Sequence, residues 1–559
     1  MSDVVKRIYA NFRGVDFRGD EINLVRSPDA LNVWKDYKET ESIRTRPGLA
    51  LHTAFPEQVY GIYFFKGMIV HSGNKLYKDG NVIFTGCKRA KSNGFVYEDK
   101  WYFKDGVNYL EYDGTTIKKV TPYIPTTSIG RSPAGGGTTY EDVNMLSSRR
   151  KNTFIADGAK GEIFLPDTGS TEYYLDTQNI DEGAVPFVTV DGALVNNFTV
   201  DYAKGMIKFD EPPMAPATTG QDNVTIEFQK TTNQAEKIMG CTILQVFDNR
   251  VFFSGNPDFP NVLWHCSLND PGYISDLDYY QEGLDRAKIN GMVAGNNALW
   301  VFREPSEANT SVFYHTPTLD ADYGKIYPSA HSSVTIGCIG KAINFNDDIV
   351  FFSERGMEGV SGDITTEQAV AHRSSLIDRK LLGEADYANM VLEEWEGYLL
   401  IIIGNKIYLA DSRAVFTNEN HMEYEFFYWE MEKPITSAKV HEGILYVGTK
   451  DGVYTLTDNE CNVESYWVTP KDKFKSPNML KTTNKRGCVA EATGDITVYA
   501  KVEDTDFEEI GAYEKVSDYF VSRIKRKKFK DIQLKFYSKT RFSLETVTLE
   551  AIIGGYIKR

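Results

Sequence analysis

Residues 392–411 read LEEWEGYLLIIIGNKIYLAD: a strand ending in Trp395, a Glu396-Gly397 turn, the apolar run Tyr398–Ile403, a Gly404-Asn405 turn and a third strand from Lys406. A run as continuously apolar as Leu399-Leu400-Ile401-Ile402-Ile403 is that of a strand buried on both faces. The same strand–turn–strand–turn–strand pattern recurs at 64–78 (FFKGMIVHSGNKLYK), 96–112 (VYEDKWYFKDGVNYLEY), 246–265 (VFDNRVFFSGNPDFPNVLWH), 293–315 (VAGNNALWVFREPSEANTSVFYH), 343–362 (INFNDDIVFFSERGMEGVSG) and 440–456 (VHEGILYVGTKDGVYTL). The first turns are Lys-Gly, Glu-Asp, Asp-Asn, Asn-Asn, Asp-Asp, Glu-Gly and Glu-Gly, types that tolerate positive φ or bond their own backbone in tight hairpins. Their centres, Gly67, Asp99, Asn249, Asn297, Asp348, Gly397 and Gly443, are 32, 150, 48, 51, 49 and 46 residues apart. A period near 48 built of short strands predicts an all-β chain with a β-propeller of about seven blades, within a range of six to eight. Four consecutive intervals that agree within a few residues weigh against the alternative, a multi-sheet sandwich with accidental spacing.

The interval from Asp99 to Asn249 leaves about 100 residues beyond one period. Here the chain reads EIFLPD, EYYLDT, PFVTVDGALV, FTVDYAKGMIKFDEPP and NVTIEFQK, alternating strands with Asp191-Gly192 and Lys204-Gly205 turns. This is an inserted small β-domain. Its Gly-rich entrance, Arg131 to Thr139, lacks the Gly-Lys-Ser/Thr of a phosphate loop and is read as a flexible linker. Pro212 to Gly220 is read as an exposed loop. From about Ser465 the strands lengthen (DITVYAKVE, FKDIQLKFYS, VTLEAIIGGY), which predicts a separate C-terminal β-sandwich. The expected division is an N-terminal arm over 1–50 leading into the propeller, blades over 51–125, the insertion over 126–235, further blades over 236–460 and the sandwich over 461–559. The short first interval implies that the N-terminal blade is completed by another part of the chain, with ring closure by a terminal strand. One helix is expected within HRSSLIDRKLLGEADYANMV (372–391), capped by Ser374 or Ser375, as a surface helix covering a propeller edge.

At 559 residues, 42% hydrophobic and 13% aromatic, the chain can bury a sizeable core in several domains. No apolar run reaches the length of a membrane span, and the opening MSDVVKRIYANFRG lacks the apolar segment of a secretory signal, so synthesis in a cytoplasm is expected. The six cysteines, at 87, 241, 266, 338, 461 and 488, form no Cys-x-x-Cys pair and are read as buried free thiols. A net charge of −16 argues against a nucleic-acid clamp yet suits a conduit whose wall lets a polyanion slide.

The chemistry of an active site is missing from the residue pattern. The Ser-x-Asp-x-Gly-x-x-Trp boxes of sialidase-like propellers, His-Glu-x-x-His and Gly-x-Ser-x-Gly do not occur. The carboxylate pairs Asp276/Asp278 and Asp320/Asp322 lack the further ligands a calcium site needs and are read as solvated turns. No catalytic residue, metal ligand or cofactor is expected, and the chain is read as a non-enzyme. One dense basic cluster, Arg523, Lys525, Arg526, Lys527, Lys528 and Lys530, continues to Lys535, Lys539 and Arg541. It is either a contact for phosphates or an acidic neighbouring subunit, or the outer face of strands whose inner face is Phe529, Ile532, Leu534 and Phe536. The outer-face reading is preferred, and a protein neighbour is the better partner if one exists.

Residues 14–49, GVDFRGDEINLVRSPDALNVWKDYKETESIRTRPGL, resemble the opening of bacteriophage tail or head-to-tail stabilisation proteins. The resemblance is carried by Ser27-Pro28-Asp29-Ala30-Leu31-Asn32, Trp34, Arg44, Arg46, Pro47 and Gly48. It extends to IYLADSRAVF, EYEFFYWEME and DYAKGMIKFDEPP. It implies a β-propeller virion protein, a tail nozzle made in the bacterial host cytoplasm. Six copies would form a ring below the portal-connector, against connector and other tail proteins, retaining and conducting DNA without reading its sequence. Arg44 and Arg46 join the basic cluster as candidate interface residues. Two other classes are carried alongside: a carbohydrate-binding propeller such as a receptor-binding adhesin, and a glycan-degrading enzyme.

Overall fold

The computed structural model describes residues 4–19, 23–38, 42–159, 168–306, 310–321, 324–332, 334–360, 370–418, 421–459, 462–524 and 528–556. The chain is all-β, and its described helices are the short segments Gln234–Met239 and Asp378–Leu381 and a 3-10 turn at Tyr387–Asn389. No helix among the described residues is long and apolar enough to cross a membrane. The chain divides into two compact units, one of Met1–Lys91, Trp300–Tyr314 and Ala330–Arg559, the other of Ser92–Leu299 and His315–Ser329.

The repeated pattern folds as read. Five meanders of consecutive strands, one that skips the hairpin 318–326 to take Ser329–His331 as its fourth strand, and one closed by a distant strand give seven four-stranded sheets among the described residues. Two successive residues with positive φ make the hairpin turns at Asp248-Asn249 (49°, 55°), Asn296-Asn297 (52°, 59°), Glu396-Gly397 (50°, 75°) and Glu442-Gly443 (50°, 78°). That backbone matches the twist of the flanking strands, and Asn, Asp and Gly adopt it at least cost. In the fifth repeat the turn is Asn346-Asp347, one residue earlier than read, and Asp348 opens the strand. Strands following these turns are buried on both faces: Leu399, Leu400 and Ile401 are fully enclosed, as are Val251, Phe252 and Phe253.

In the first unit the sheet built of Val59–Phe64, Met68–Ser72, Lys75–Lys78 and Asn81–Thr85 is complete in itself. The short first interval therefore reflects tight turns, with no strand borrowed. The borrowed strand lies at the other end. Gly48–Ala54 runs antiparallel to Gly452–Thr457 and completes the last meander, Ser437–His441, Ile444–Gly448 and Gly452–Thr457.

Residues 4–45 are not an arm leading into the first blade. Val4–Ala10 pairs with Phe542–Tyr556, Ala30–Leu31 with Ser465–Val468, and Ile43–Thr45 with both Val33–Lys35 and Phe542–Tyr556. These strands and the C-terminal ones form one eleven-stranded sheet around the 24-residue strand Met479–Val502. The separate C-terminal sandwich is thus corrected to a sheet shared by both ends of the chain. The physical reason is the outer edges of Phe542–Tyr556 and Ser465–Val468, which other C-terminal strands leave open and the N-terminal strands fill. Tyr9, Phe12, Val15, Val33, Trp34 and Ile43 enter the same hydrophobic core as Leu399–Ile403 and Leu534, Phe536 and Leu549.

The expected helix at 372–391 shrinks to the four residues Asp378–Leu381, with no side-chain cap. Ser374 Oγ is bound instead to Asp378 and to the Met357 amide, and Ser375 to Glu423. Leu376 and Leu381 are fully buried, so tertiary packing rather than helical propensity places this segment.

In the second unit, Asn93–Tyr97 to Ile117–Lys119 and Ile243–Phe247 to Tyr279–Gln281 make two of the meander sheets. Between them in sequence the insertion folds as a six-stranded and a three-stranded sheet over a core of Phe154, Tyr173, Ile207, Val224 and Ile226. The Gly-rich entrance is a built loop rather than a flexible linker. Arg131 is 6% exposed and donates to Ser128 Oγ, Gly136 O and Tyr174 O, while Ser132 and Gly135 exchange backbone bonds. Of the Pro212–Gly220 loop, Pro212 and Pro213 are buried and only 217–220 is continuously exposed. Five cysteines are buried free thiols, and Cys461 lies outside the described residues.

Gly14 packs where no side chain fits. Its φ is 121°, and a Cβ would lie 1.9 Å from the carbonyl oxygen of Phe426. Gly80 has φ 84° with open space around it. Gly14→Ala is expected to cost roughly 3 kcal/mol or more and Gly80→Ala about 1 kcal/mol, the latter being backbone strain alone. Thermal melts of the two variants check the ranking; equal melting temperatures would contradict the close packing of Gly14 against residues 421–430.

Candidate functional site

The residues that carry the resemblance build a clip inside the first unit. Asn32 sits at φ 55°, just before Val33–Lys35, and its amide side chain is used fully. Its Oδ1 accepts from Arg46 Nε at 2.9 Å and from the Glu430 amide at 2.8 Å; its Nδ2 donates to Glu464 O at 2.8 Å. Arg46, 1% exposed, further donates to Pro47 O at 2.8 Å, Glu430 O at 2.8 Å and Glu432 Oε1 at 2.9 Å. Burial lowers its pKa, a cost that Glu432 offsets in part. Nearby, Arg26 forks onto Glu425 with two bonds of 2.7 Å. Arg46, 1% exposed, thus uses four of its five N–H donors within the chain.

Arg44 is placed differently. Only 5% exposed, it holds its Nη2 3.3 Å from Asp36 and 3.2 Å from Asp458, with its guanidinium 6.0 Å from the Trp34 ring. Arg541 also reaches Asp458, at 3.2 Å. Trp34, Asp36, Arg44 and Asp458 line a cleft of about 200 Å³ together with Lys38, Pro47, Trp395 and Glu396. Trp34 stacks on Trp395 at 5.1 Å and 28°, and Trp429 meets Trp34 edge-on at 5.7 Å. Lys38 bridges to Glu396 at 2.5 Å across the rim. The indole Nε1 of Trp34 is buried without a hydrogen-bond partner. Of this cleft, Trp34, Arg44 and Pro47 belong to the segment singled out in sequence, and Trp395 and Glu396 to a hairpin read there without a site role; Asp36 and Asp458 come from positions with no local signal, and only the fold joins them.

The basic cluster divides. Arg523, Lys528 and Lys530 are exposed, and Lys525, Arg526 and Lys527 lie outside the described residues. Phe529, Ile532, Leu534 and Phe536 are each at most 1% exposed, so these cations stand on the outer side of strands whose other side is core. Lys535 lies over the Tyr466 ring at 3.7 Å, and Lys539 is exposed. Beneath the cluster, Lys481 is fully buried and donates to Ser476 O and Lys530 O; burial lowers its pKa. Among the described residues no group of three His, Cys, Asp or Glu is placed to hold a metal ion.

A charged site that the sequence reading passed over is His372. Its Nε2 lies 2.6 Å from Asp378 Oδ2 and its Nδ1 3.3 Å from Glu358 Oε1. Burial opposes its charge, but hydrogen bonds and the negative charges of Asp378 and Glu358 outweigh it and raise the pKa to about 10. The unfolded value is about 6.5. The stabilisation is therefore full below about pH 6.5 and is lost as pH rises toward 10.

No protein-family model matches the chain, and no curated protein does. Solved structures match in part. The computationally designed Ika8 protein is 11% identical over 74% of this chain and 99% of its own, with a TM-score of 0.32. BamB from Moraxella catarrhalis is 11% identical over 73% and 97%, with a TM-score of 0.30. An exo-beta-1,3-galactanase from Phanerochaete chrysosporium is 8% identical over 55% and 95%, with a TM-score of 0.21. At such scores none of these likenesses assigns a fold or an activity.

The wild-type melting temperature is expected to fall between pH 6.5 and 10, and His372→Asn to flatten that part of the profile while lowering stability at pH 6. An unchanged slope in the variant would remove His372 as its source. Arg46→Ala, which strands buried acceptors at Asn32 and Glu430, is expected to cost about 3–5 kcal/mol, read as a large loss of melting temperature or of soluble yield.

Proposed function

We propose that the chain is a structural protein of a bacteriophage tail, a nozzle subunit that assembles as a six-membered ring below the portal-connector and conducts packaged DNA. In this reading the seven four-stranded sheets are the blades of one β-propeller, closed by the pairing of 48–54 with 452–457. The observation that carries it is the segment 14–49. The residues that resemble the stabilisation proteins are the ones that lock both ends of this chain together through Asn32, Arg46 and the shared sheet. A part of a conduit must hold its shape under load, and closure by non-neighbouring strands resists unravelling from either end. The acidic balance of −16 supports passage of DNA without grip. The exposed Arg523, Lys528 and Lys530 supply a contact for an acidic neighbour, and heterologous contacts of that kind close rings. The virion tail is then its place, after synthesis in the host cytoplasm.

Carbohydrate recognition is favoured by one observation, the Trp34–Trp395 cleft with its mixed charged rim.

Native mass and negative-stain images of the purified chain, alone and with the connector proteins encoded beside it, test the first reading. Rings of six subunits with a central opening, formed alone or on the connector, are expected. A monomer that stays monomeric and ignores the connector would end it.

A further inference from the structure

We propose that the cleft around Trp34 and Trp395 binds a single hexose unit, whether or not the chain builds a tail ring. The space, about 200 Å³, is below the ~300–1,000 Å³ of sites for drug-sized ligands and suits one ring-sized molecule. Its walls narrow the chemistry further. An anion would face the carboxylates of Asp36, Glu396 and Asp458. A metal ion would have to displace Arg44, which already lies 3.3 and 3.2 Å from the two aspartates. A purely apolar molecule would take water from that charged rim and return no hydrogen bond to it. A neutral polyol has neither conflict, because each hydroxyl both donates to a carboxylate and accepts from a cation.

The second observation is the orphaned donor. Trp34 is 3% exposed, and its indole N–H meets no acceptor. A buried donor left in that state has given up its bond to water for nothing, a loss that a ligand hydroxyl oxygen would recover. The N–H is closed to solvent, so the hydroxyl reaches it only when the rim yields. Lys38, with a side chain 72% exposed and a single bridge to Glu396, is the part of the rim with most freedom to do so. Binding therefore includes opening of that bridge, which high salt would ease.

Saturation-transfer NMR on the full chain tests this with D-glucose, D-galactose, L-rhamnose and N-acetylglucosamine, each free and as the terminal unit of a disaccharide. Transfer from at least one of them is expected. Transfer from disaccharides only, if lost in the variant below, supports the site and assigns its ligand to glycan ends. Trp34→Phe keeps an apolar ring and removes the N–H. It is expected to weaken binding at least tenfold, while the lost ring contacts with Trp395, Tyr398 and Trp429 lower the melting temperature without unfolding the chain. A merely structural Trp34 would show that loss of stability and leave any sugar affinity of the folded variant unchanged. Should Trp34→Phe fail to fold, Asp458→Asn, at a half-exposed rim position, replaces it with the same expected loss. Silence from all eight probes, or wild-type affinity in the folded variant, overturns the proposal.

Discussion

The first unit depends on one amide. Asn32 stands at a left-handed backbone position and ties three separate stretches of chain through its side chain: Arg46, Glu430 and Glu464. Each of those stretches belongs to a different part of the unit, namely the N-terminal strands, the sheet ending at 421–430 and the strand 465–468. A buried amide whose donor and acceptor are both used fixes one geometry, because any shift leaves a polar group unpaired in a medium that cannot replace the bond. Arg46 extends the same constraint with a planar fork that only one arrangement of acceptors satisfies. Around this clip the aromatic core of Trp34, Trp395, Trp429 and Tyr398 is packed tightly enough that one indole N–H goes without a partner.

The meanders were legible because each is local. A Glu-Gly or Asn-Asn pair between apolar runs reports a hairpin from a dozen residues, and the strands at 398–403 and 250–254 lie where the pattern places them. What was not legible is whatever pairs at long range. Nothing in VVKRIYA marks it as the neighbour of residues 546–552, since strand periodicity states which face is buried and not which strand lies alongside. The same limit explains the site. Trp34 and Arg44 stood out in sequence and Glu396 only as a turn residue, while Asp36 and Asp458 are two of 78 acidic residues, and only the fold brings them to one guanidinium at the same cleft.

The helix at 378–381 shows the opposite failure. Leucine spacing and two serines suggested a longer element, yet Ser374 and Ser375 are engaged by Asp378 and Glu423, and the buried Leu376 and Leu381 are held by tertiary packing. His372, six residues before the helix and clamped between two carboxylates, had no sequence signal at all; its charge state is a property of where Glu358 and Asp378 end up.

Sharing one sheet between both ends of the chain sets an order of events on the ribosome. The strand Val4–Ala10 leaves the exit tunnel long before Phe542–Tyr556, the strand it pairs with, has been made. At about 5–20 residues per second, roughly half a minute to two minutes pass with those edges open. During that interval residues 4–10 lack their ladder partner, and an unpaired strand with exposed backbone donors is a template for another chain. What shields that segment until residues 546–552 emerge therefore bears on how much of the protein folds.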